Sequence, residues 1–128
     1  MRIVRAEVLR TPQPIPLAHP YRAAWTEPHG APVSTITFAC YRLVTDDGLV
    51  GYGPYSGQRA DAAVGRDPTH VTAFWEEAMG GRRAGNSGHD AAGLEIAMWD
   101  LIGKAAGLPV YRLLGAMTDH VTVYAATN

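Results

Sequence analysis

Lysine and cysteine are nearly missing from this sequence of 128 residues, and each scarcity excludes a kind of site. Cys40 is the only cysteine, so no disulfide can form within the chain, and a reducing compartment is the default expectation. Lys104 is the only lysine, and the chain has ten arginines. Any reaction that needs two lysine side chains therefore requires residues beyond this sequence.

Clustered positive charge and long apolar runs are also missing. The formal net charge is −1, and Arg82 and Arg83 form the only adjacent basic pair, so the sequence predicts no nucleic-acid partner and no membrane partner. No apolar run approaches the roughly 20 residues of a membrane helix, and the charged N-terminus is unlike a signal peptide. With 47% apolar and 18% charged residues, the chain is expected to be globular, soluble and cytoplasmic.

Hydrophobic patterning predicts three β-strands in the first half of the chain. Residues 2–10 alternate in the manner of a strand, and residues 34–45 form a β-branched and aromatic run that is the strongest strand signal. Asp47-Gly48 suits a hairpin turn that needs positive φ, and residues 49–53 form the returning strand. We expect a three-stranded antiparallel sheet.

Two further expectations concern the same region. Within the run at 34–45, alternation places Ile36, Phe38 and Cys40 on one face. Residues 11–32 contain six prolines, which remove backbone donors and fix φ, so this stretch is expected to be one long irregular loop.

The second half of the chain predicts helices. Asp67 followed by Pro68 is typical of a helix start, and Gly80-Gly81 ends that helix. A longer helix is expected over 88–106, and its residues are apolar on nearly every side, which is typical of burial against several neighbours. A short helical turn follows over 109–114.

Residues 121–127 have the pattern of one more strand. An isolated strand leaves main-chain groups without partners, so we expect its neighbours to lie in sequence beyond Asn128. The chain is therefore interpreted as a fragment of a longer protein.

One long motif has a clear resemblance. Residues 92–115, AGLEIAMWDLIGKAAGLPVYRLLG, closely resemble the end of the N-terminal capping domain in the mandelate racemase and muconate lactonizing enzyme family of the enolase superfamily. The run GLVGYG at 48–53 and the run GRDP at 65–68 also resemble this family, and the predicted order of elements is similar.

The resemblance implies an α+β fold, in which a three-stranded antiparallel sheet is followed by a helical bundle. Residues 1–118 would form the capping domain, and residues 119–128 would begin a (β/α) barrel whose remainder is missing. In this family the cap lies over the mouth of the barrel, which carries the chemistry. The parent protein would be a homo-oligomer, and the missing barrel domain would be the cap's partner within the same chain.

The implied activity belongs to the parent enzyme. It is a Mg²⁺-dependent dehydratase or racemase that abstracts the proton α to the carboxylate of a hydroxy acid or sugar acid. No catalytic residue and no metal ligand is assigned here, since the family's Lys-x-Lys pair needs two lysines. Lys104 lies in the middle of a predicted helix, four residues after Asp100, where a minor surface ion pair is expected. The chain alone is expected to be inactive.

The resemblance also implies two loops of the cap that contact substrate, which correspond to residues 17–31 and 54–59. Arg22 can pair with a carboxylate, and Trp25 and Tyr55 can exclude water from a closed site. The alternative for each residue is simple packing or exposure to solvent. The substrate-binding candidates are His19, Tyr21, Arg22, Trp25 and His29 in the first loop, and Tyr55 and Ser56 in the second.

Two departures from the family pattern affect the second loop. Pro54 stands where many relatives have glutamate, and the stretch from Tyr55 to Arg66 is too short for the helix that relatives have there. The spacing of His19 and His29 matches no common zinc site, so no metal is assigned to them. Gly51-Tyr52-Gly53 lacks the third glycine of a dinucleotide fingerprint.

Two other functions stay open at this point. The chain could be a stand-alone binding or interaction module that reuses the cap fold without chemistry, or a degraded fragment without function. A stand-alone module would need a core that is complete after Thr127, whereas the pattern of the last strand argues against that. A reading frame that continues past Asn128 would favour the enzyme.

Overall fold

The computed structural model describes residues 1–22, 30–80 and 89–123. Contacts divide the chain into two compact units. The first unit comprises residues 1–9 and 39–116, and the second comprises residues 10–38 and 117–128.

The first unit is built on the predicted three-stranded sheet. The strands of the described residues, in chain order, are β1 (Ile3–Arg10), β2 (Ile15–Tyr21), β3 (Val33–Ile36), β4 (Ala39–Thr45) and β5 (Val50–Pro54). The sheet of the first unit has the order β1-β4-β5, and β4 pairs with β5 in antiparallel register from Val44↔Val50 to Cys40↔Pro54. Gly48 turns this hairpin with φ +85°, where a residue with a side chain would be strained, as the Asp-Gly signal predicted.

The predicted grouping of Ile36, Phe38 and Cys40 on one strand face is wrong, because Ile36 lies on β3, Cys40 lies on β4 and Phe38 lies between the two strands. The core side of β4 carries Tyr41 and Leu43, which are fully buried, whereas Phe38 is 59% exposed and belongs to no strand. The run at 34–45 is in fact two strands, because the main chain of Phe38 exchanges hydrogen bonds with Thr11 instead of continuing the ladder. Within β4 the alternation is regular, with Tyr41 and Leu43 toward the core and Cys40 and Arg42 on the opposite side.

The second unit corrects the prediction of one long loop over 11–32. Residues 15–21 form β2, which pairs antiparallel with β3 in a two-stranded ribbon, with Ile15 opposite Ile36 and an irregularity before Tyr21. A two-stranded ribbon has two free edges, so a proline whose missing N–H would point outward removes no ladder hydrogen bond. Prolines therefore did not prevent a strand here.

The helices agree with the sequence pattern. They are α1 (Val71–Gly80), α2 (His89–Ala106) and α3 (Val110–Leu113), and short 3-10 turns occupy Ala60–Ala63 and Pro68–His70. Gly107 ends α2 with φ +64°. In the three described ranges, no helix combines the length and the apolar composition that crossing a lipid bilayer requires.

The core of the first unit lies between α2 and the sheet. One face of α2 is buried against β5 and β4, and Val71 and Phe74 of α1 belong to the same core. The prediction that α2 is buried on nearly every side is not met within the first unit, because Ile96 is 48% exposed. The buried apolar residues are Ile3, Tyr41, Leu43, Ala63, Val71, Phe74, Ala91, Leu94, Ala97, Met98 and Leu101.

The predicted strand over 121–127 is described only in part. Residues 121–123 belong to no strand, and the side chains of Val121 and Val123 are exposed. A strand needs a neighbour for its main-chain groups. Residues 124–127 lie outside the described residues, so a strand there stays a prediction.

Asp67 caps the first helical turn as predicted, and this cap should make stability depend on pH. Its carboxylate accepts hydrogen bonds from the backbone N–H and hydroxyl of Thr69, which lower its pKa below the ordinary 3.8. We expect Asp67→Ala to reduce the free energy of unfolding by about 0.5–1 kcal/mol near neutral pH, the lower part of the range for caps, because the group is exposed. Urea unfolding measures this loss.

The sign of the pH effect follows from the lowered pKa. The carboxylate's contribution is complete above its unfolded pKa and is lost as pH falls through the lower folded value. Asp67→Asn keeps an acceptor for Thr69 but cannot titrate. The difference in free energy of unfolding between this variant and the parent protein should therefore change between neutral pH and about pH 3. Equal urea midpoints for the parent and Asp67→Ala at neutral pH would contradict the cap.

Candidate functional site

The segment after β5 lies directly against the first turns of α2. A Cβ added at Gly93 would stand 1.8 Å from the carbonyl oxygen of Pro54, and one added at Gly53 would stand 2.0 Å from the carbonyl oxygen of Gly93. Strand and helix therefore approach main chain to main chain, at a distance that only glycine allows at both positions. This contact fixes where the candidate loop at residues 54–59 leaves the sheet.

The structure assigns the Ser56 hydroxyl to this junction. Its Oγ donates to the carbonyl oxygen of Asp90 at 2.5 Å and accepts from the backbone N–H of Gly93 at 3.0 Å. The backbone N–H of Gln58 donates to the same Asp90 oxygen at 3.2 Å. Ser56, predicted as a substrate contact, therefore anchors its loop to the N-terminal part of α2.

Tyr41 holds the same loop from the sheet side, and sequence reasoning missed this role. Its fully buried side chain donates from the hydroxyl to the carbonyl oxygen of Gln58 at 2.6 Å. Its ring packs against the Tyr55 ring, with 5.3 Å between centroids and a tilt of 47°. The only sequence signal was the alternation of the run at 34–45, which by itself indicates no contact between Tyr41 and the loop.

Tyr55 combines a fixed position with exposure. Its backbone N–H donates to the carbonyl oxygen of Ala39 at 3.0 Å, so the pairing of β5 with β4 extends to this residue. The side chain stays 38% exposed although one part of the ring packs on Tyr41. Of the candidates in the first unit, Tyr55 is the one that can present an aromatic ring and a hydroxyl to a ligand.

The candidates of the first loop lie in the second unit. His19 and Tyr21 belong to β2, Arg22 follows it, and all three side chains are exposed. Trp25 and His29 lie outside the described residues. The structure therefore gathers three candidates at one end of β2 and two on the loop after β5, in different compact units.

A second contact between α2 and β5 involves Asp100 and Lys104, which were expected to form only a minor surface ion pair. The Lys104 ammonium donates to the carbonyl oxygen of Val50 at 2.7 Å and to Asp100 Oδ2 at 2.7 Å. The same Asp100 oxygen accepts from the backbone N–H of Tyr52 at 2.8 Å. We call Asp100 and Lys104 the edge clasp. Their spacing predicted the ion pair, but nothing in the sequence indicated its main-chain partners.

Another charged contact lies on the outer face of the sheet. Arg42 Nη1 lies 2.5 Å from Glu7 Oε1. Hydrogen bonds to the side chains of Glu7 and Tyr52 raise the pKa of Arg42, so its positive charge is held in place on this face. The Tyr52 side chain is thus hydrogen-bonded to Arg42 of β4, while Lys104 Nζ stands 5.3 Å from the centroid of its ring.

A metal site is not formed by these residues. Across ranges 1–22, 30–80 and 89–123, no three histidine, cysteine, aspartate or glutamate side chains are grouped so that they could hold an ion. Mg²⁺ prefers several carboxylate and carbonyl oxygens in octahedral geometry. The described residues do not fit it, and they support no step of a reaction through a metal.

Comparison with known proteins identifies the family. The family profile described as Mandelate racemase / muconate lactonizing enzyme, N-terminal domain, matches residues 5–115. A D-galactonate dehydratase from Pectobacterium atrosepticum is 35% identical over 99 residues, which are 65% of this chain and 26% of that protein. A D-mannonate dehydratase from Sphingomonas sp. strain SKA58 is 32% identical over 108 residues, which are 71% of this chain and 27% of that protein.

Solved structures have the same fold. The L-talarate/galactarate dehydratase from Salmonella typhimurium LT2, liganded with Mg and L-lyxarohydroxamate, superimposes with a TM-score of 0.71 at 26% identity over 92% of this chain and 34% of that chain. The chain spans about a quarter of the length of the curated relatives it matches. It therefore belongs to the mandelate racemase / muconate lactonizing enzyme family of the enolase superfamily, of which it carries the N-terminal domain.

Proposed function

We propose that this chain is the substrate-gating capping domain of a Mg²⁺-dependent dehydratase or racemase that acts on a hydroxy acid or sugar acid. The related D-galactonate and D-mannonate dehydratases support this substrate class. The reaction would begin with removal of the proton α to the carboxylate. We assign its base and its metal ligands to a (β/α) barrel elsewhere in the protein, which would begin at residues 119–128 after a cap of residues 1–118.

The observation that carries the proposal is the anchored loop after β5. Tyr55 is 38% exposed, yet its main chain is bonded to β4 and its ring rests on Tyr41. The next residue of the loop, Ser56, is hydrogen-bonded to α2 through its hydroxyl. A side chain held in this way loses little conformational freedom when it binds, which favours substrate contact over random exposure.

The chemistry of the candidates suits a polyhydroxy acid. The Tyr55 hydroxyl can exchange hydrogen bonds with substrate hydroxyls, while its ring excludes water. Arg22 is the proposed partner of a substrate carboxylate. His19, Tyr21, Trp25 and His29 are proposed as further contacts from the first loop, and Ser56 acts by holding Tyr55 in place. In the parent enzyme, bound Mg²⁺ would offset negative charge that develops on the substrate.

The test uses the complete protein and a panel of aldonic and aldaric acids with Mg²⁺. Tyr55→Ala is expected to raise KM by about tenfold and to change kcat less, because a contact made in the bound ground state is lost. Tyr55→Phe should show a part of this effect. Tyr111→Phe is the matched control, since Tyr111 has similar exposure, 41%, on α3.

Two results would count against the proposal. The enzyme class falls if the complete protein neither dehydrates nor inverts any hydroxy acid of the panel. The gating role falls if the protein is active and Tyr55→Ala leaves KM and kcat unchanged. We further expect the parent enzyme to be a cytoplasmic homo-oligomer, which size-exclusion chromatography with light scattering would check for the oligomer.

A further inference from the structure

Strand β5 lies at the edge of its sheet. The order β1-β4-β5 leaves its outer side without a neighbouring strand among the described residues. An edge strand has main-chain N–H and C=O groups that point outward and can recruit another strand or stay solvated. In β5, the backbone N–H of Tyr52 and the carbonyl oxygen of Val50 are such groups, and both are bonded to the edge clasp of Asp100 and Lys104.

The edge clasp thus occupies the place of a fourth strand. Asp100 supplies the acceptor, Lys104 supplies the donor, and the two side chains are bonded to each other four residues apart on α2. An exposed ion pair by itself contributes little to stability. Because each member of this pair also satisfies a main-chain group of β5, its effect is on the strand.

Lysine suits this position better than arginine. The compact ammonium donates in two directions, to Val50 and to Asp100, and stands 5.3 Å from the centroid of the Tyr52 ring. The guanidinium of arginine is a planar fork with a fixed spacing of donors, which matches a carboxylate but not this divergent set. A chain that otherwise uses arginine has its one lysine at this point.

Strand β5 needs such an anchor because of its composition. Two of its five residues are glycines, which have low strand propensity and no side chain to pack. A Cβ at Gly51 would stand 2.4 Å from the carbonyl oxygen of Ala97, so α2 rests on the bare main chain there. The position of β5 is therefore set through its main chain, by β4 on one side and by the edge clasp on the other.

We propose that Asp100 and Lys104 are positioning residues for substrate binding. By fixing Val50 and Tyr52, the edge clasp acts together with the contact between Gly53 and Gly93 to set where the strand places Tyr55. Without the clasp, Gly51 and Gly53 allow the strand to shift, and the Tyr55 ring moves with it. This inference rests on the proposed function of Tyr55 as a contact to substrate.

The test combines hydrogen exchange with kinetics in the complete protein. Asp100→Ala removes the acceptor of the Tyr52 amide and should lower the exchange protection of that amide by about tenfold. Asp100→Asn keeps an acceptor oxygen and should restore most of the protection. Lys104→Arg should raise KM for the sugar acid by about threefold to tenfold with kcat within about twofold, although charge is kept.

Controls and alternatives keep the test decisive. Glu77→Ala breaks a different ion pair of the first unit, with Arg66, and should leave both readouts unchanged. If Asp100→Ala does not fold, Lys104→Met provides the same two measurements. Unchanged protection of Tyr52 in Asp100→Ala, or in Lys104→Met where that variant replaces it, would overturn the proposal, as would lost protection with unchanged KM. If Tyr55→Ala also leaves KM unchanged, the proposed function itself fails.

Discussion

Gly93→Ala is expected to lower the free energy of unfolding by about 3 kcal/mol, although alanine is the better helix former. A Cβ at this position would stand 1.8 Å from the Pro54 carbonyl oxygen and 2.8 Å from the Tyr41 ring. Both neighbours are held in place, since one is main chain and the other is a fully buried side chain. Strand and helix must separate before the methyl group fits.

The sign of this effect separates packing from helix propensity. Propensity alone predicts that Gly93→Ala stabilises by about 1 kcal/mol. Ala105→Gly, at an exposed position of the same helix, measures the difference in helix propensity between alanine and glycine. It should lower the free energy of unfolding by about 1 kcal/mol. Urea unfolding of both variants gives the comparison. A stabilised Gly93→Ala protein would show that β5 and α2 are not in main-chain contact.

Leu101→Ala is the second large effect, with an expected loss of about 2–5 kcal/mol. Leu101 is fully buried, and its Cγ would stand 2.6 Å from a Cβ at Gly51, so it fills the space above the bare strand. Truncation leaves a cavity that β5 cannot close without losing its pairing with β4. Thermal or urea unfolding measures the loss.

The matched control is Leu9→Ala on β1, because Leu9 is 41% exposed. The same substitution there should cost less than about 1 kcal/mol, since little apolar surface is lost from a packed interior. Similar losses for Leu9→Ala and Leu101→Ala would mean that α2 does not form the core that the structure describes.

Most of the fold follows from local signals in the sequence. The Asp67-Pro68 start, the apolar periodicity of α2 and the Asp-Gly turn each predicted an element that the structure contains. Each of these signals depends on neighbours within a few residues, which a sequence shows directly. The resemblance of residues 92–115 added the arrangement of these elements.

The missed features depend on distant main-chain contacts. Nothing in the run at 34–45 indicates that the main chain of Phe38 bonds to Thr11, and this break divides the run between β3 and β4. The ribbon of β2 and β3 was not predicted, because residues 11–32 contain six prolines. Proline argues against a strand only where each backbone N–H must form a ladder hydrogen bond.

The candidate site was found only in part for the same reason. Tyr55 and Ser56 were located through the family resemblance, but the anchoring of their loop by Tyr41 requires β4, α2 and the loop to meet. The spacing of Asp100 and Lys104 predicted their ion pair. Its bonds to Val50 and Tyr52 join residues about fifty positions apart, which periodicity does not reveal.

The central claim is that these residues gate a reaction whose catalytic groups lie elsewhere in the protein. The most direct measurement compares the complete protein with the 1–128 polypeptide for Mg²⁺-dependent dehydration or inversion of sugar acids, at equal molar concentration. The account predicts turnover of at least one acid by the complete protein and none by residues 1–128. Turnover by the 1–128 polypeptide alone would contradict it.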